Sequence, residues 1–323
     1  MSRDRSVAVG VEIGAGRTAV ALIDRHGRIR HRCEAKTLRG RPASATLEPY
    51  LRAIDATLER AHSDRLPVCG IGVSLPGTLD PVTRRPLGVS LLPSLNNFPL
   101  CEFLEMRYRL PVQMQVDVDA ALLGEHYFGA GRGFRRLLLL TVNAVVGAAL
   151  IRDGQLERTE NYTGHICHIP LSTSANGTRC SCGRRGCINT LVSMDAIQKM
   201  VQRALRRGDE THFTQRLLSR ESFSPQLLAE EARHGDSVAL QIYSEAGRWL
   251  GMAVNKYMDL FEPDILILGS EVLCASDVLL PHIRNALDGN SRARSSRVCS
   301  LVEVVPACLA SDAELIGAVV PLF

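Results

Sequence analysis

Short runs of apolar and β-branched residues, separated by turn residues, dominate the pattern of this chain. VAVGVEI at 7–13 and TAVALID at 18–24 are two such runs, and Gly14, Ala15 and Gly16 lie in the connection between them. Two β-rich runs joined by glycines predict a β-hairpin. LLLLTV at 137–142 and GAALI at 147–151 repeat the strand–turn–strand pattern. We therefore expect two hairpins, each at the start of a mixed α/β lobe.

Helical periodicity follows the first hairpin. Ser44 could cap a helix, because serine is a frequent N-cap residue. After it, apolar residues recur at helical spacing, at Leu47, Leu51, Ile54 and Leu58. Further strands are predicted at 69–74 and 112–116. The segment 190–260 is mainly helical in pattern, and within it Asp236 is expected to cap a helix. That helix should bury Val238, Leu240, Ile242, Trp249 and Leu250, and its Gly251 should allow close packing.

Composition and charge exclude several classes of protein. The chain has 323 residues, enough for two lobes with separate cores, and 46% of them are hydrophobic. Its net charge of +4 comes from dispersed arginines without a basic tract, so electrostatics do not predict nucleic-acid binding. The start MSRDRSVAV has no signal-peptide core, and no apolar run reaches transmembrane length. We expect a cytoplasmic protein without a membrane partner. The polar SRARSSR stretch at 291–297 is expected to be a surface loop.

One cluster of residues predicts a metal site. His168, Cys180, Cys182 and Cys187 offer one imidazole and three thiolates within a short segment. Such a set is typical of a closed tetrahedral Zn²⁺ site that stabilises a loop, and the alternative is three cysteines that cluster by chance. The other cysteines are scattered, and we expect reduced thiols; Cys167, beside the ligands, is the one doubtful case.

These segments carry a resemblance to a known family. GHICHIPL with CSCGRRGCINTLVS resembles the signature of the ROK family (repressors, open reading frames and sugar kinases), usually written GExGH…CxCGxxGCxE. GVEIGAGRTAVALIDRHGRI at 10–29 is similar to its first phosphate hairpin, and GIGVSLPGTLD at 70–80 to the following strand and turn. LPVQMQVDVDAALLGE at 110–125 resembles the catalytic segment. LFEPDILILG at 260–269 resembles the strand before the nucleotide-side loop, and LASDAELIGA at 309–318 the closing helix.

The resemblance implies an α/β fold of the two-lobed actin-like ATPase (ribonuclease H-like) class with a zinc-binding loop. The smaller N-terminal lobe is expected at 1–118, with the closing helix near 311–323 returning to it. The larger lobe is expected at 119–310 and includes the zinc loop 165–189. The resemblance also implies a homodimer.

The implied activity is ATP-dependent phosphorylation of a sugar hydroxyl. Asp117 aligns with the catalytic base of the family, and the other interpretation is an aspartate that caps the helix beginning near Ala120. Asp119 is interpreted as that cap or as a second polar group in the cleft. The nucleotide and Mg²⁺ would be bound by positions in the three phosphate and adenosine loops, namely Glu12, Gly14, Gly16, Asn143, Gly147 and Gly269. On the sugar side the matching positions are His165, His168 and Asn189.

Several of these positions depart from the family pattern. The DxGGT hairpin has Glu12 for its aspartate and lacks the threonine, and the second loop, GTGxGGG in the family, reads VNAVVGA at 142–148. The third loop continues with Ser270 and Glu271 in place of glycines. Val116, His165 and Asn189 replace an asparagine and two glutamates that contact the sugar in the family.

Two functions follow from this pattern. The first is a hexose-type sugar kinase with altered specificity or low efficiency. The second is a non-catalytic sugar or metabolite sensor. The six residues before the first hairpin leave no room for the winged-helix module of ROK repressors, so direct DNA binding is not expected.

Overall fold

A computed structural model shows two five-stranded sheets and the helices that accompany them. The residues it describes are 5–14, 17–80, 82–90, 92–157, 166–172, 177–219, 221–269, 276–291 and 302–323. Two compact units divide the chain: Met1–Phe134 with Ala149–Thr163 and Ala307–Phe323, and Arg135–Ala148 with Gly164–Pro306. The division predicted near residues 118 and 119 stays a prediction.

The first sheet contains the predicted N-terminal hairpin. Its strands are β1 (Val7–Ile13), β2 (Arg17–Asp24), β3 (Ile29–Lys36), β4 (Val68–Leu75) and β7 (Val112–Val116), in the order β3-β2-β1-β4-β7. The hairpin strands pair antiparallel, whereas β4 pairs parallel with both β1 and β7. The carboxyl ends of β1, β4 and β7 therefore meet at one edge, where the residues after the strands can share a site. Two short strands, β5 (Thr78–Leu79) and β6 (Pro86–Leu87), form a separate hairpin.

Each face of this sheet has its own core. Alternating residues of β1, β4 and β7 join buried residues of α1 (Ala43–Ser63) and α2 (Leu100–Tyr108) on one side. Leu47 and Ile54 of α1 are buried, as the periodicity predicts, but Pro42 rather than Ser44 precedes the helix. On the other side a smaller core contains Leu315, Ile316 and Val319 of α10 (Ala313–Val319).

Helix α10 packs so closely against the sheet and against α3 (Asp117–Phe128) that their backbones are in contact. A Cβ atom at Gly317 would lie 1.6 Å from the Ala120 carbonyl oxygen, and one at Gly124 would lie 2.5 Å from the Ala313 carbonyl oxygen. On the sheet side, a Cβ atom at Gly72 would lie 2.2 Å from the Ala318 carbonyl oxygen. Only glycine allows two backbones to approach this closely. Helix α10 thus packs on the first sheet.

A buried carboxylate fixes the segment that leads into α10. Glu125 of α3 is 0% exposed. It accepts backbone N–H bonds from Ala130 at 2.8 Å, Cys308 at 3.1 Å and Leu309 at 2.7 Å. Three N–H donors satisfy the acceptor sites of a carboxylate that would otherwise be costly to bury.

The second sheet contains the second predicted hairpin. Its strands are β8 (Leu137–Val142), β9 (Val146–Arg152), β10 (Gln155–Leu156), β11 (Ile265–Gly269) and β12 (Glu303–Pro306), in the order β10-β9-β8-β11-β12. Strand β11 pairs parallel with β8 and β12. The unit boundary between Ala148 and Ala149 falls within β9.

The helical segment predicted at 190–260 is confirmed. Its helices, together with the one that follows β11, are α4 (Asn189–Val192), α5 (Met194–Arg207), α6 (His212–Leu218), α7 (Pro225–Arg233), α8 (Ser237–Phe261) and α9 (Ser276–Ser291). Asp236 caps α8 by accepting the N–H bonds of Val238 and Ala239, both at 3.0 Å. A Cβ atom at Gly251 would lie 2.3 Å from the Cβ of Ala286, so α8 and α9 do pack closely there.

Two side chains of α8 differ from the prediction. Leu240 is 37% exposed and Trp249 is only partly buried, whereas Val238, Ile242 and Leu250 are buried as expected. Arg248 lies over the Trp249 ring at 4.2 Å, a contact that suits a half-exposed indole. Among the described residues no helix combines the length and apolarity needed to cross a membrane. The SRARSSR stretch lies outside the described residues.

The contact between α3 and α10 generates a stability prediction. Gly317→Ala should lower the free energy of unfolding by about 1–3 kcal/mol, because the added methyl group meets the Ala120 carbonyl and forces the helices apart. Helix propensity alone would stabilise such a variant by up to about 1 kcal/mol. Urea denaturation measures whether the free energy of unfolding falls or rises, with Gln202→Ala on the exposed face of α5 as the control. A Gly317→Ala variant as stable as the wild type would contradict the described packing.

Candidate functional site

The four predicted metal ligands lie together in the second unit. Their nitrogen and sulfur atoms all lie within 4.8 Å of one another, at His168, Cys180, Cys182 and Cys187. His168 Nδ1 is 3.2 Å from Cys180 Sγ, and the sulfurs of Cys182 and Cys187 are 3.7 Å apart. The cysteines are free thiols rather than a disulfide. Ligand type and spacing both fit zinc, which prefers four soft or borderline donors in a tetrahedron.

Backbone turns hold these ligands in place. Cys180 N–H donates to the Arg184 carbonyl at 2.7 Å, and Gly183 N–H donates back to Cys180 at 2.9 Å. Gly186 has φ of +69°, and a Cβ atom there would lie 1.9 Å from the Ser172 carbonyl oxygen. The glycine before Cys187 is therefore required by both conformation and space.

The pKa values of two thiols in this cluster shift in opposite directions. Burial raises the pKa of Cys187 to about 12, and neighbouring thiols add to that effect. At Cys182 the pKa is lowered, chiefly by the backbone N–H of Arg184. A divalent cation stabilises the thiolate form that burial alone disfavours. Cys167 is buried nearby but does not belong to the group of ligands.

The predicted base, Asp117, begins α3 in the first unit. Its side chain is partly buried, and its Oδ1 accepts the N–H bond of Val118 at 2.7 Å. Burial raises the pKa of Asp117 to about 6, against the opposing effect of the Val118 bond. Such a carboxylate is ionised at neutral pH yet more basic than an ordinary aspartate. The interpretation of Asp119 as the helix cap is wrong, because α3 begins two residues earlier and no side chain caps it.

Glu12 lies near the end of β1 in the same unit. Its register partner on β4 is Ser74, whose own partner on β7 is Gln115, so the three side chains occupy neighbouring positions on one face of the sheet. Ser74 is buried, and its hydroxyl has no hydrogen-bond partner within the described ranges. Gly14 follows the strand, and Gly16 lies outside the described residues.

The turn between β8 and β9 is closed by internal hydrogen bonds. Asn143 N–H donates to the Val145 carbonyl at 3.2 Å, and Val146 N–H donates to Asn189 Oδ1 at 3.0 Å. These two amides are therefore occupied by the protein itself. Gly147 follows within β9.

Asn189 connects this turn to the zinc loop. It lies two residues after Cys187 at the start of α4, and its side-chain oxygen accepts the Val146 bond. Met194 N–H, further along the same segment, donates to the Asn143 carbonyl at 3.0 Å. The residue expected to contact sugar thus contacts the hairpin turn, an interaction that sequence spacing does not reveal.

The remaining predicted positions are at strand ends or outside the described residues. Gly269 ends β11, beside Thr141 of β8. His165, Ser270 and Glu271 lie outside the described residues.

The first unit also contains an acidic residue that sequence reasoning missed. Glu314 is the second residue of α10, and the charges of Asp117 and Glu12 both act on it. The sequence feature that could have identified it is a single glutamate within a run of otherwise small and apolar residues, AELIGAVV.

Comparisons with known proteins give consistent matches over the length of the chain. A glucokinase from Thermotoga maritima is 28% identical over 312 residues, which cover 96% of this chain and 95% of that protein. The DNA-binding transcriptional dual regulator NagC of Escherichia coli is 27% identical over 284 residues, 87% of this chain and 67% of that protein.

Solved structures match as well. A ROK family glucokinase from Streptomyces griseus, in complex with glucose and AMPPNP, has a TM-score of 0.79 and 26% identity, and covers 97% of this chain and 98% of that one. A ROK family transcriptional regulator described as a homologue of the Escherichia coli MLC protein has a TM-score of 0.85 and 23% identity, over 98% of this chain and 78% of that one.

The mixed α/β architecture is the actin-like ATPase fold of these ROK glucokinases, as predicted. The sequence model of the ROK family matches residues 8–321. The chain belongs to the ROK family.

Proposed function

We propose that the protein is a carbohydrate kinase that transfers a phosphoryl group from ATP to a hydroxyl group of a hexose-like sugar. The observation that carries the proposal is Asp117, a partly buried carboxyl group at the start of α3 with its pKa raised to about 6. A group of this basicity is suited to accept a hydroxyl proton near neutral pH.

In the proposed reaction the Asp117 carboxylate takes the proton of the sugar hydroxyl. The sugar oxygen forms a bond to the terminal phosphorus of ATP as the bond from that phosphorus to the ADP oxygen breaks. The proton then resides on Asp117, the phosphoryl group on the sugar, and the electron pair of the broken bond on ADP.

The relatives support this reaction class. Several are glucokinases, and the Streptomyces griseus structure contains both a hexose and an ATP analogue. Glu12 and Asp117 offer carboxylate oxygens, the donor type that Mg²⁺ prefers, and Mg²⁺ bound with ATP would neutralise phosphate charge. Gly14, Gly16, Asn143, Gly147 and Gly269 are the proposed nucleotide contacts.

On the sugar side, His165, His168 and Asn189 are the proposed contacts. The oxygen of Asn189 accepts the Val146 N–H bond, which leaves its amide NH₂ for a ligand. An amide donor in place of a carboxylate acceptor recognises hydroxyl groups differently, so we propose a specificity different from that of the glucokinases.

We further propose that His168, Cys180, Cys182 and Cys187 bind a structural zinc ion. The close set of one nitrogen and three sulfur donors supports this, because it fills four positions and leaves none open for chemistry. A homodimer and a cytoplasmic location remain expectations from the sequence.

A second candidate function is a sugar or metabolite sensor without phosphoryl transfer. The closed turn between β8 and β9 favours it, because Asn143 N–H and Val146 N–H are used internally and cannot also donate to phosphate. The loss of amide donors weakens a phosphate cradle.

Asp117→Asn tests the kinase directly. We expect kcat to fall by about 10²–10⁴-fold, since the amide cannot accept the proton. In the wild type, kcat should fall about tenfold per pH unit below about pH 6, where Asp117 becomes protonated. A coupled ADP assay over a panel of hexoses measures both, with exposed Asp153→Asn as the control. Equal turnover in wild type and Asp117→Asn would exclude Asp117 as the base.

Nucleotide binding separates the kinase from the sensor. Titration of the purified protein with Mg-ATP in a calorimeter should give saturable heat if it is a kinase. A sensor with a closed phosphate loop should give heat with a sugar but none with Mg-ATP. If the protein bound no Mg-ATP, either with or without sugar, the kinase proposal would be contradicted.

Loss of a zinc ligand should destabilise the protein. Cys182→Ser is expected to lower the free energy of unfolding by at least about 3 kcal/mol, because structural zinc contributes folding free energy directly. Elemental analysis should find about one zinc per wild-type chain and much less in the variant. Cys308→Ser, an exposed free thiol, is the matched control. Wild-type stability of Cys182→Ser, or a zinc-free wild type, would contradict the proposed metal site.

A further inference from the structure

Three hydroxyl groups connect the core of the first unit to the residue that follows β1. They belong to Thr18 of β2, to Thr37 directly after β3, and to Tyr50 of α1. Thr18 is 0% and Tyr50 is 1% exposed, whereas Thr37 is partly buried. The reaction proposed above gives no role to any of them.

The Thr37 hydroxyl is the centre of this cluster. It donates to the Gly14 carbonyl oxygen at 3.0 Å and accepts from the Tyr50 hydroxyl at 3.3 Å. The hydroxyl oxygen of Thr18 lies 3.2 Å from the same Thr37 oxygen. A threonine hydroxyl has one proton to donate and two lone pairs that accept. Because the proton of Thr37 goes to Gly14, Thr18 is the second donor, and the hydrogen-bonding capacity of Thr37 is filled.

Two separate elements therefore determine where the Thr37 oxygen lies. Tyr50 belongs to the core between α1 and the sheet, and it is one of the largest side chains that are fully buried there. Thr18 lies in β2, opposite Ile13 of β1. Side chains packed in this way have few alternative rotamers, so both donors are held in place. The Thr37 hydroxyl, and with it the Gly14 carbonyl, is held by them.

The bond to Thr37 orients one peptide group. Gly14 is the first residue after β1, and it is one of the nucleotide contacts proposed above. The C=O and N–H groups of a trans peptide point in opposite directions. A Gly14 carbonyl held toward Thr37 therefore directs the N–H of the same peptide group away from Thr37. Backbone N–H groups that point outward from a turn are donors to phosphate oxygens.

We propose that Thr37 is a positioning residue for the nucleotide: by holding the Gly14 carbonyl, it directs the N–H of that peptide group toward a phosphate of ATP. The proposal rests on the proposed kinase function for the identity of the ligand. It adds to that function a residue from outside the hairpin, 23 positions after Gly14 in the sequence.

A purely structural role is the alternative, and Thr57 of α1 is an example of one. Thr57 is fully buried, and its hydroxyl donates to the Ala53 carbonyl oxygen of the same helix at 2.7 Å. The acceptor of Thr37 is instead the carbonyl of Gly14, which lies outside the regular strands and is only partly buried. Thr57→Val is therefore the matched control, because it removes a hydroxyl-to-carbonyl bond in the same unit without affecting Gly14.

The first test needs no nucleotide. Protein labelled with ¹³C at glycine carbonyls and ¹⁵N at alanine amides gives correlations only from Gly–Ala pairs, which begin at Gly14, Gly129, Gly147 and Gly317. Gly14→Ser removes one correlation and so identifies it. Thr37→Val should move the carbonyl signal of Gly14, because that carbonyl loses its hydrogen bond, and should leave the others in place. Thr37→Ser should keep the wild-type position, and an unmoved Gly14 signal in Thr37→Val would overturn the proposal.

The second test adds Mg-ATP to the same samples. The amide signal of the Gly14 peptide group should shift in the wild type and in Thr37→Ser. In Thr37→Val the Kd and the KM for Mg-ATP should rise about tenfold, the effect of one misplaced hydrogen bond to a charged group. The kcat and the KM for the sugar should stay at the wild-type values. Thr57→Val should lower the urea midpoint and leave the Mg-ATP affinity unchanged.

The outcomes separate this proposal from the kinase proposal. If the wild type bound Mg-ATP and the amide of the Gly14 peptide group did not respond, the role of Thr37 would be overturned and the kinase would stand. The same conclusion would follow if Thr37→Ser or Thr57→Val bound Mg-ATP as weakly as Thr37→Val. If the wild type bound no Mg-ATP at all, both the kinase and the role of Thr37 toward the nucleotide would be refuted.

Discussion

The close approach of α10 to α3 and to the first sheet is the constraint on which the arrangement of the first unit depends. It is a contact between backbones, in which Gly317 meets the Ala120 carbonyl and Gly72 meets the Ala318 carbonyl. Contacts of this kind leave almost no freedom to slide, because any added atom meets a carbonyl oxygen. Asp117 begins α3 and Glu314 lies near the start of α10, so the packing of these two helices determines where both carboxyl groups lie.

The zinc loop illustrates a second kind of constraint. Its ligands are close in sequence, and tight turns at Gly183 and Gly186 bring them together. The loop then continues into Asn189, which bonds to the turn between β8 and β9. A metal bound by these ligands would thereby be connected to the conformation of a second loop in the same unit through a single side chain.

The sequence predicts best those structural features that depend on residues close together along the chain. The N-terminal hairpin and the zinc ligands depend on neighbours in the chain, so alternation and spacing predict them. The cap at Asp236 is local as well. Leu240 fits the helical spacing of apolar residues but is exposed. The spacing shows which face of the helix is apolar, but it does not show how far along that face the neighbouring elements extend.

Tertiary contacts set the rest. Helix α10, which carries Glu314, meets α3 because it returns to a sheet built from the beginning of the chain, and no pattern within residues 309–318 contains that information. Asn189 is similar, since its position after Cys187 is consistent with a sugar contact, whereas its bond to Val146 depends on how α4 meets the hairpin.

The return of α10 has a consequence for synthesis on the ribosome. Strands β1 and β2 emerge early, yet the apolar face that they present to Leu315, Ile316 and Val319 stays uncovered until those three residues have been translated. Contacts between residues so far apart in sequence form late and slowly. During that interval the growing chain exposes apolar strand surface of the kind that promotes aggregation.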